Sequence, residues 1–358
     1  MRIKTASGLS VLKVPGEGLA IDVSHRSRSY DVDWLDAGVL SFLIACGTWT
    51  ERAHAERLLA ERTKLPDDAR ARAIDQLLEL GVLVGEDDPF HARLGDAEAM
   101  WERYGWEDAF HLQREIGALE RLDYLEDGFR RDVLQMKAAL AADPKPANYK
   151  EFQGKGLIPL GPVPEVPQRS LCETFDGPGT TKAGPMDSGR FAWLTYFAYG
   201  QVGKKFMPVT KEHITKTSPS GGARHPTEVY PIVLEIEGIE PGLYHYNVKQ
   251  HALELLVPGD HRAFVRRCLV RGTPPPFDYS VVYVYTTIFE RSMFRYREPF
   301  SYRVMSHDIG HLLETTRLLA NSIGRRVSGG RVPRDCEVNG LLGIDGLFES
   351  TMTYAVVE

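Results

Sequence analysis

An α+β fold is predicted for this 358-residue chain, because its two halves carry different apolar patterns. Apolar residues recur at helical spacing through much of the first 142 residues, whereas the second half alternates short strands with helices. Residues 144–167 are rich in proline and glycine, which is typical of a linker or an extended arm. We therefore expect a mixed sheet with helices packed on it, preceded by a mainly helical N-terminal region.

Residues 1–90 have the pattern of a small winged-helix-like domain. The expected elements are short strands within residues 8–23, a buried helix over 35–44, a helix with Thr50 as N-cap and Glu51 in its first turn, a helix over 66–80 closed by Gly81, and a strand over 82–84. The would-be recognition helix carries more acidic than basic residues, so DNA binding is not expected. The layout is similar to domains of peptide-modifying enzymes that bind an extended leader peptide by strand addition, and a scaffold or dimerisation role stays open.

Residues 91–160 form the next expected segment, with charged helices to about residue 142 and then the linker. Aromatic side chains at helical spacing in these helices are expected to pack into a core. The domain boundary is placed near residue 160, so that residues 161–358 form the C-terminal domain. Its expected elements are a helix over 190–199, a strand over 229–236, a hairpin of 242–246 with 251–256, a central strand over 279–288, a long helix over 306–323 and a last strand over 351–357.

Composition and charge argue against several functional classes. The formal net charge is −6, so a basic surface for nucleic acid is not expected. No apolar run approaches the length that crosses a bilayer, and no signal peptide is recognised at the N-terminus. The cysteines at 46, 172, 268 and 336 are far apart in sequence, so neither a zinc site nor a disulfide framework is predicted. The expected location is the cytoplasm, with reduced thiols.

The segment Ser218–Tyr230, SPSGGARHPTEVY, carries the most information about chemistry. Pro219 fixes the chain, and Gly221 and Gly222 allow backbone conformations that a side chain would prevent. Ser220 beside bare backbone N–H groups can cradle a planar heterocycle with carbonyl oxygens, or a phosphate. Neither a Walker loop nor a dinucleotide fingerprint is predicted, because no Gly-Lys-Ser/Thr follows and no GxGxxG is present.

This segment resembles the flavin-binding stretch of the SagB/ThcOx branch of the nitroreductase superfamily, Pro-Ser-Gly/Ala-Gly-Ala-x-x-Pro-x-Glu-Val-Tyr. The hairpin from Pro241 to Leu255 is similar to that family's PGLYHYD…HALEL hairpin. Looser similarity extends over residues 165–358, and the chain as a whole resembles peptide-maturation dehydrogenases. The resemblance implies a nitroreductase-like fold, a non-covalently bound FMN, and a homodimer with the flavin at its two-fold interface.

The resemblance also implies cofactor contacts elsewhere in the C-terminal half. Arg169 and Ser170 match a stretch that grips the flavin phosphate, although Gln168 and Cys172 replace two of its basic residues. Arg303 is expected to reach the cofactor or to brace its helix. The implied cofactor contacts are Arg169, Ser170, Pro219, Ser220, Gly221, Gly222, Arg303, Gly329, Gly330 and Arg331.

Three residues are implied in catalysis: Tyr296, Arg295 and His225. Arg295 and Tyr296 stand where azoline-oxidising members have a Lys-Tyr pair that performs acid/base work. Arginine stays protonated, so Arg295 cannot act as a general base, although it can bind a carboxylate or stabilise an oxyanion. Tyr296 would remain the proton donor or acceptor, and His225 beside the flavin loop is a further acid/base candidate. Purely structural roles stay open for these residues.

The predicted function is FMN-dependent dehydrogenation of a ribosomally synthesised peptide during its maturation, by hydride transfer to flavin N5. One alternative is a small-molecule nitro, quinone or ene reductase that uses NAD(P)H, and another is a non-catalytic peptide-binding scaffold. The expected partners are a precursor peptide, a second copy of the chain and other peptide-modifying enzymes; no nucleic acid, membrane or metal is expected. The replacement of Lys by Arg295 argues against assuming azoline oxidation.

Overall fold

The computed structural model describes residues 1–6, 9–14, 18–23, 28–32, 36–118, 122–123, 125–166, 168–179, 185–270 and 279–358. The predictions for Leu35, Pro167 and parts of residues 8–23 concern positions outside these ranges. The chain divides into two compact units, Met1–Leu122 and Asp123–Glu358. No helix in the described ranges is both long enough and apolar enough to cross a bilayer.

The first unit places helices around two small antiparallel sheets. Its elements are β1 (Arg2–Thr5), β2 (Leu9–Val14), β3 (Gly18–Val23), β4 (Arg28–Val32), α1 (Ala37–Ala45), β5 (Thr50–Glu51), α2 (Arg52–Arg62), α3 (Asp67–Leu80), β6 (Leu83–Gly85), α4 (Pro89–Arg103) and α5 (Glu107–Ala118). The strand β1 lies between β5 and β6, and β3 lies between β2 and β4. Gly81 ends α3 in the left-handed conformation, with φ of 78°.

Two N-terminal expectations differ from the structure. Thr50 pairs with Ile3 in a β-ladder, so the N-cap of α2 is Glu51, and it makes no side-chain cap hydrogen bond. Ile44, expected to be buried, is 73% exposed, because α1 turns Phe42 and Leu43 into the core and its opposite face outward.

The second unit is built on one antiparallel sheet. Its elements are α6 (Gly128–Ala142), β7 (Leu157–Pro159), α7 (Leu171–Phe175), β8 (Met186–Asp187), α8 (Ser188–Tyr199), β9 (Gly203–Met207), β10 (Lys211–Thr215), β11 (Thr227–Val233), β12 (Ile236–Glu237), β13 (Gly242–Asn247), β14 (Ala252–Pro258), α9 (Arg262–Cys268), β15 (Val281–Ile288), α10 (Glu290–Met293), α11 (Ser301–Ser322), β16 (Val327–Arg331), α12 (Asp335–Leu342) and β17 (Glu349–Val357). The described strands of the main sheet follow the order β16-β17-β15-β11-β13-β14-β7. The predicted α+β class is confirmed.

The sheet is covered by apolar side chains on both faces, because alternate residues of its central strands point in opposite directions. Tyr283 of β15 packs in a cluster with Phe191 of α8 and Leu312 of α11. Val284 packs in a second cluster with Val265 of α9 and Leu342 of α12. Helices α8 and α11 thus cover one face of the central strands, and α9 and α12 cover the other. The loops at the strand ends remain available to form sites.

Part of the predicted linker belongs to the second unit's sheet. Leu157–Pro159 pairs with β14 and adds an edge strand, with Ala252 opposite Pro159. The division between the two units falls between Leu122 and Asp123, whereas the sequence pattern predicted a domain boundary near residue 160. Proline at a strand edge fits this arrangement, since the edge needs fewer backbone donors.

Candidate functional site

The loop from Ser220 to His225 joins β10 to β11 in a conformation that most residues avoid. Gly222 has φ of 58°, and the non-glycine residues Ala223 and His225 have φ of 52° and 45°. A non-glycine residue in this left-handed region costs about 1–3 kcal/mol, so the surrounding contacts must hold the loop in place.

Asp308 of α11 anchors the start of this loop. Its carboxylate accepts hydrogen bonds from Ser220 Oγ at 2.6 Å and from the Gly221 backbone N at 2.9 Å. Ser220 Oγ in turn accepts a hydrogen bond from the backbone N of His225 at 2.9 Å. Burial raises the pKa of Asp308, although the hydrogen bonds from Ser220 and Gly221 oppose that shift. The Ser220 hydroxyl therefore shapes the loop from within.

The two glycines allow neighbouring side chains to lie directly on the loop. A Cβ on Gly221 would stand 2.5 Å from Cγ1 of Val304, and a Cβ on Gly222 would collide with the hydroxyl of Tyr296. The Arg224 side chain lies beside the same position, with its Nε 3.5 Å from a Cβ on Gly222. The structure thus brings Tyr296 to the predicted flavin loop, with a guanidinium beside its hydroxyl.

A small pocket that is partly open to solvent lies against the loop, between β11 and α11. Lys216, Ser218 and His225 line it, together with apolar surface from Pro219, Val229 and Leu312. Ser218 Oγ is buried, and no described residue forms a hydrogen bond with it. Burial lowers the pKa of Lys216 to about 8. Within the described part of the chain we find no hydrogen bond or ion pair that engages this ammonium group.

Lys216 and Ser218 were missed by the sequence reasoning. Both residues stand just before Pro219, so the available signal was a lysine and a serine at the entrance of the glycine-containing loop. Hydroxyl and lysine side chains are common at chain turns, and only the fold shows that these two face a pocket.

His225 is unsuited to the acid/base role predicted for it. Burial, reinforced by the charge of Lys216, lowers the pKa of His225 to about 3. The imidazole is therefore neutral near pH 7 and has no imidazolium proton to donate. Its carbonyl oxygen accepts a hydrogen bond from Arg291 at 3.3 Å, which gives the residue a structural function.

Arg295 is held in an internal ion pair. Its Nη2 lies 2.7 Å from each carboxylate oxygen of Asp132, and the two side chains are only 16% and 11% exposed. The predicted ability of Arg295 to bind a carboxylate is thus used within the protein. Its guanidinium also lies 4.9 Å from the ring centroid of Tyr296, which fits a role in positioning that tyrosine.

The predicted phosphate contacts Arg169 and Ser170 lie at the far end of α11. The backbone N of Arg169 donates to the carbonyl of Ser322, fourteen residues and about 21 Å along the helix from Asp308. Ser170 forms a capping box with Glu173 at the start of α7. The Arg169 guanidinium donates to the carbonyl of Gly177. Ser170 is therefore the N-cap of α7.

Arg303, Gly329, Gly330 and Arg331 fall on two further elements. Arg303 lies half-buried in α11, whereas the other three residues form the end of β16, paired with β17. A Cβ on Gly329 would stand 2.6 Å from the carbonyl oxygen of Tyr354, so close strand packing requires this glycine. The side chain of Arg331 is exposed.

A buried chain of charges lies beneath the loop, and no sequence pattern predicted it. His245 of β13 is fully buried between two carboxylates, with Nδ1 2.6 Å from Glu254 Oε2 and Nε2 2.9 Å from Glu228 Oε2. Burial alone would lower the pKa of His245, but the hydrogen bonds to Glu228 and Glu254 outweigh it and raise the pKa. Burial would raise the pKa of Glu228, but Arg291 and His245 bring it to about 2. Arg291 lies 2.5 Å from Glu228.

The chemistry of the groups that line the pocket suits the ring of a flavin mononucleotide. The donors Lys216 Nζ and Ser218 Oγ suit ring carbonyl groups, and Ser218 is a buried hydroxyl that needs such a partner. Pro219, Val229 and Leu312 offer apolar surface to a planar heterocycle.

The chain is similar in sequence to a trifolitoxin-processing protein and to a putative nitroreductase. No protein-family model matches the chain. It is 31% identical to the trifolitoxin-processing protein TfxB of Rhizobium leguminosarum bv. trifolii, over 94% of this chain and 96% of the relative. It is also 25% identical to "Putative nitroreductase MJ1384" of Methanocaldococcus jannaschii, over 44% of this chain and 72% of that protein.

Among solved structures, a "putative nitroreductase" from Anabaena variabilis superposes with a TM-score of 0.49 at 24% identity, covering 64% of this chain and 45% of that one. The relationship to the nitroreductase superfamily that Ser218–Tyr230 predicted is confirmed by the sequence relatives. Because the match to TfxB runs almost from end to end of both proteins, the chain belongs to the family of the trifolitoxin-processing protein TfxB.

Proposed function

We propose that this protein is an FMN-dependent oxidoreductase that acts on a ribosomally synthesised peptide during its maturation. The observation that carries the proposal is the pocket in which Lys216 and the unpartnered hydroxyl of Ser218 face apolar surface beside a strained loop. The sequence relationship to a nitroreductase supports the oxidoreductase class, and the relationship to TfxB supports a peptide as substrate.

The cofactor, when bound, supplies two-electron hydride chemistry. Lys216 and Ser218 would hold the polar edge of its ring, and Pro219 and Leu312 would pack on its faces. Asp308 keeps the loop in its strained conformation before any ligand arrives, so the ring site is preorganised. Arg169 and Arg331 are our candidates for the phosphate.

Tyr296 is our first candidate for proton transfer to or from the substrate. Its hydroxyl lies over Gly222 in the predicted flavin loop, and the Arg224 guanidinium lies beside the same position. Lys216 is the second candidate, because burial brings its pKa to about 8, which permits both protonation states near neutral pH. In this scheme neutral His225 and ion-paired Arg295 support the site without exchanging protons.

The N-terminal unit is proposed to bind an extended leader segment of the peptide. Among the described strands, β6 lies at an edge of its sheet, paired on one side with β1 and packed against α3. An edge strand next to a helix can accept an added strand through backbone hydrogen bonds. A precursor peptide with its leader should therefore bind more tightly than the same peptide without it.

A homodimer is proposed as the active form. Large apolar side chains in the second unit are exposed, which is typical of a surface that packs against a partner. They include Leu171, Phe175, Phe206, Met207, Leu347 and Phe348. Light scattering of the flavin-loaded protein should give twice the mass of the 358-residue chain.

The decisive experiment begins with the visible spectrum of the purified full-length protein. We expect a flavin absorbance band, and FMN in the supernatant after the protein is denatured. Incubation with a candidate precursor peptide should then change its mass by two hydrogens. A protein that binds no added FMN contradicts the proposal. A flavin-loaded protein that turns over quinones with NAD(P)H but leaves every peptide unchanged favours the small-molecule reductase.

A further inference from the structure

A second pocket lies beside Ala223 and Arg224, and its polar lining is cationic or neutral. Its polar lining residues are Lys145, Asn148, His213, Arg224 and Arg291. None of its described lining residues is acidic. Such a lining attracts negative charge, and a buried cation without a counterion is costly.

Two of these cations lack a countercharge. Arg291 is paired with Glu228, and burial lowers the pKa of His213 to about 4, so this imidazole is neutral near pH 7. Lys145 and Arg224 form no salt bridge with any residue that the structure describes. Burial, followed by the charge of Arg224, lowers the pKa of Lys145. The pocket therefore holds two neighbouring positive charges that repel each other.

The carboxylates nearby are already engaged. Asp132 is bound to Arg295, and the Glu212 carboxylate lies 3.0 Å from Lys204. Among the described residues, Lys145 donates a hydrogen bond to the backbone carbonyl of Glu212 and to no carboxylate. The protein thus offers these two cations weak compensation of its own.

Arg224 also presents a donor that has no acceptor. Its Nε is buried without a hydrogen-bond partner, while the side chain contacts Tyr296. A buried, unsatisfied guanidinium N–H is unfavourable, and in native proteins such a group calls for a missing partner. An oxyanion in the pocket would satisfy Nε and neutralise the repulsion with Lys145 together.

The surroundings favour a carboxylate over a phosphate. Phosphate sites commonly use a nest of free backbone N–H groups. Here the N–H groups of Ala223 and Arg224 donate to the carbonyls of Ser220 and Gly221 within the turn. The remaining wall is apolar, with Phe294 and Pro146. Arginine binds a carboxylate through a planar fork, which needs no such nest.

We propose that this pocket binds a carboxylate of the peptide substrate through Arg224 and Lys145. The carboxylate is that of an aspartate or glutamate side chain or of the peptide C-terminus. The peptide as its source rests on the proposed function, whereas the anion site itself does not. Since Arg224 also contacts Tyr296, the bound carboxylate places the neighbouring part of the substrate next to the proposed proton-transfer group.

The anion site is tested on the full-length protein by thermal unfolding at pH 7. Sodium acetate is compared with sodium chloride at equal ionic strength, and inorganic phosphate is the third arm. Acetate at ten times its dissociation constant should raise Tm by about 3 °C relative to chloride. The increase should vanish in Arg224→Gln and in Lys145→Gln. It should persist in Arg317→Gln, which removes an exposed arginine that is paired with Glu314 on the surface of α11.

Lys145→Gln keeps the test decisive if Arg224→Gln does not fold, because the Lys145 ammonium bonds only to a backbone carbonyl. Equal Tm values in acetate and chloride would overturn the anion site. An increase that survives in both pocket variants would overturn it as well. A phosphate effect larger than the acetate effect, and lost in the same variants, would overturn the assignment of a carboxylate.

The source of the carboxylate is tested with the precursor peptide that serves to test the proposed function. Affinity is measured for the peptide with a free C-terminus, with a C-terminal amide, and with its acidic side chains changed to amides. We expect one modified form to bind at least tenfold more weakly to the wild type and equally weakly to Lys145→Gln. Equal affinity for all forms overturns the inference, while a retained flavin band leaves the proposed function intact. An absence of all peptide binding, with the acetate response retained, contradicts the peptide function instead.

Discussion

Two groups of buried polar side chains differ in whether the protein itself supplies their partners. The chain Glu254–His245–Glu228–Arg291 is closed, since each charge meets an opposite charge within hydrogen-bonding distance. The open group is Lys216, Ser218 and Arg224. Among the described residues, Ser218 Oγ and Arg224 Nε have no hydrogen-bond partner, and the ammonium group of Lys216 has no ion-pair partner. Both groups lie against the same loop. The difference teaches that completed networks fix the strands, whereas incomplete ones mark where ligands are expected.

The physical reason is the cost of removing charge from water. A buried ion pair that loses one partner leaves an uncompensated charge, so completed pairs are retained as units. An incomplete group is tolerated only if a ligand or solvent completes it, or if the fold supplies enough stability elsewhere. The predictions below test this contrast, in order of decreasing effect.

The closed network should be the most sensitive to a single change. Glu228→Gln leaves Arg291 without its carboxylate and removes one of the two charges that hold His245. We expect the free energy of unfolding to fall by about 3–5 kcal/mol. Denaturant unfolding measures it, with Glu235→Gln as the matched control, because Glu235 is 71% exposed beside Arg262. A loss below about 1 kcal/mol would show that the network contributes little to stability.

The loop should be the next most sensitive element. Gly222→Ala places a Cβ in the left-handed region and against the hydroxyl of Tyr296, so we expect a loss of about 1–3 kcal/mol and weaker FMN binding. Removal of that hydroxyl should relieve the steric part. The double variant Gly222→Ala/Tyr296→Phe should therefore lose less stability than the sum of its single changes. Strict additivity would mean that the backbone conformation alone is responsible.

Because its ammonium group is buried, Lys216 should make the stability of the folded protein depend on pH. Its pKa is about 8 in the folded protein against an ordinary value of 10.5, so the folded state loses this proton first. The stability of the flavin-free wild type should rise, relative to Lys216→Met, as the pH increases from about 8 towards 10.5. At pH 7 the methionine variant should be the more stable of the two.

Urea unfolding of the flavin-free proteins at several pH values between 7 and 10 measures this difference. Lys249→Met is the control, because Lys249 is exposed beside Glu151 and should show no such trend. A constant difference between wild type and Lys216→Met across this range would mean that Lys216 is solvated in the folded protein.

Substitutions of Ser170 should have the smallest effect on stability. They distinguish its role as a helix cap from the predicted contact with the flavin phosphate. Ser170→Ala removes the capping box of α7 and should cost about 1 kcal/mol. Asparagine is as good an N-cap as serine and its amide can donate to Glu173, so Ser170→Asn should restore stability while it removes the hydroxyl. If the Ser170 hydroxyl contacts the flavin phosphate, Ser170→Asn should weaken FMN binding at unchanged stability in fluorescence titrations. Unchanged FMN affinity would leave Ser170 with the capping role alone.

Much of the fold followed from local patterns. The dense β-branched and aromatic run before residue 288 predicted β15, and the apolar spacing before Ile323 predicted α11 within a few residues of its observed ends. The N-cap expected at Thr50 was wrong, because pairing with Ile3 outweighed the local capping preference. The edge strand Leu157–Pro159 lies within the predicted linker. Three residues among prolines and glycines show too little periodicity to indicate a strand.

By itself, the sequence determined the α+β class, the family and the loop at Ser220, because backbone preferences and a contiguous motif are local properties. Only the tertiary structure decided which side chains are partnered. It engaged Arg295 with Asp132, made His225 neutral, and left Lys216 and Ser218 facing a pocket. These outcomes depend on burial and on neighbours distant in sequence, as with Arg295 and its partner in α6. Desolvation and long-range ion pairs cannot be inferred from the residues next to a charged group in the sequence. The tertiary structure around a site therefore determines the protonation and the partners of its side chains.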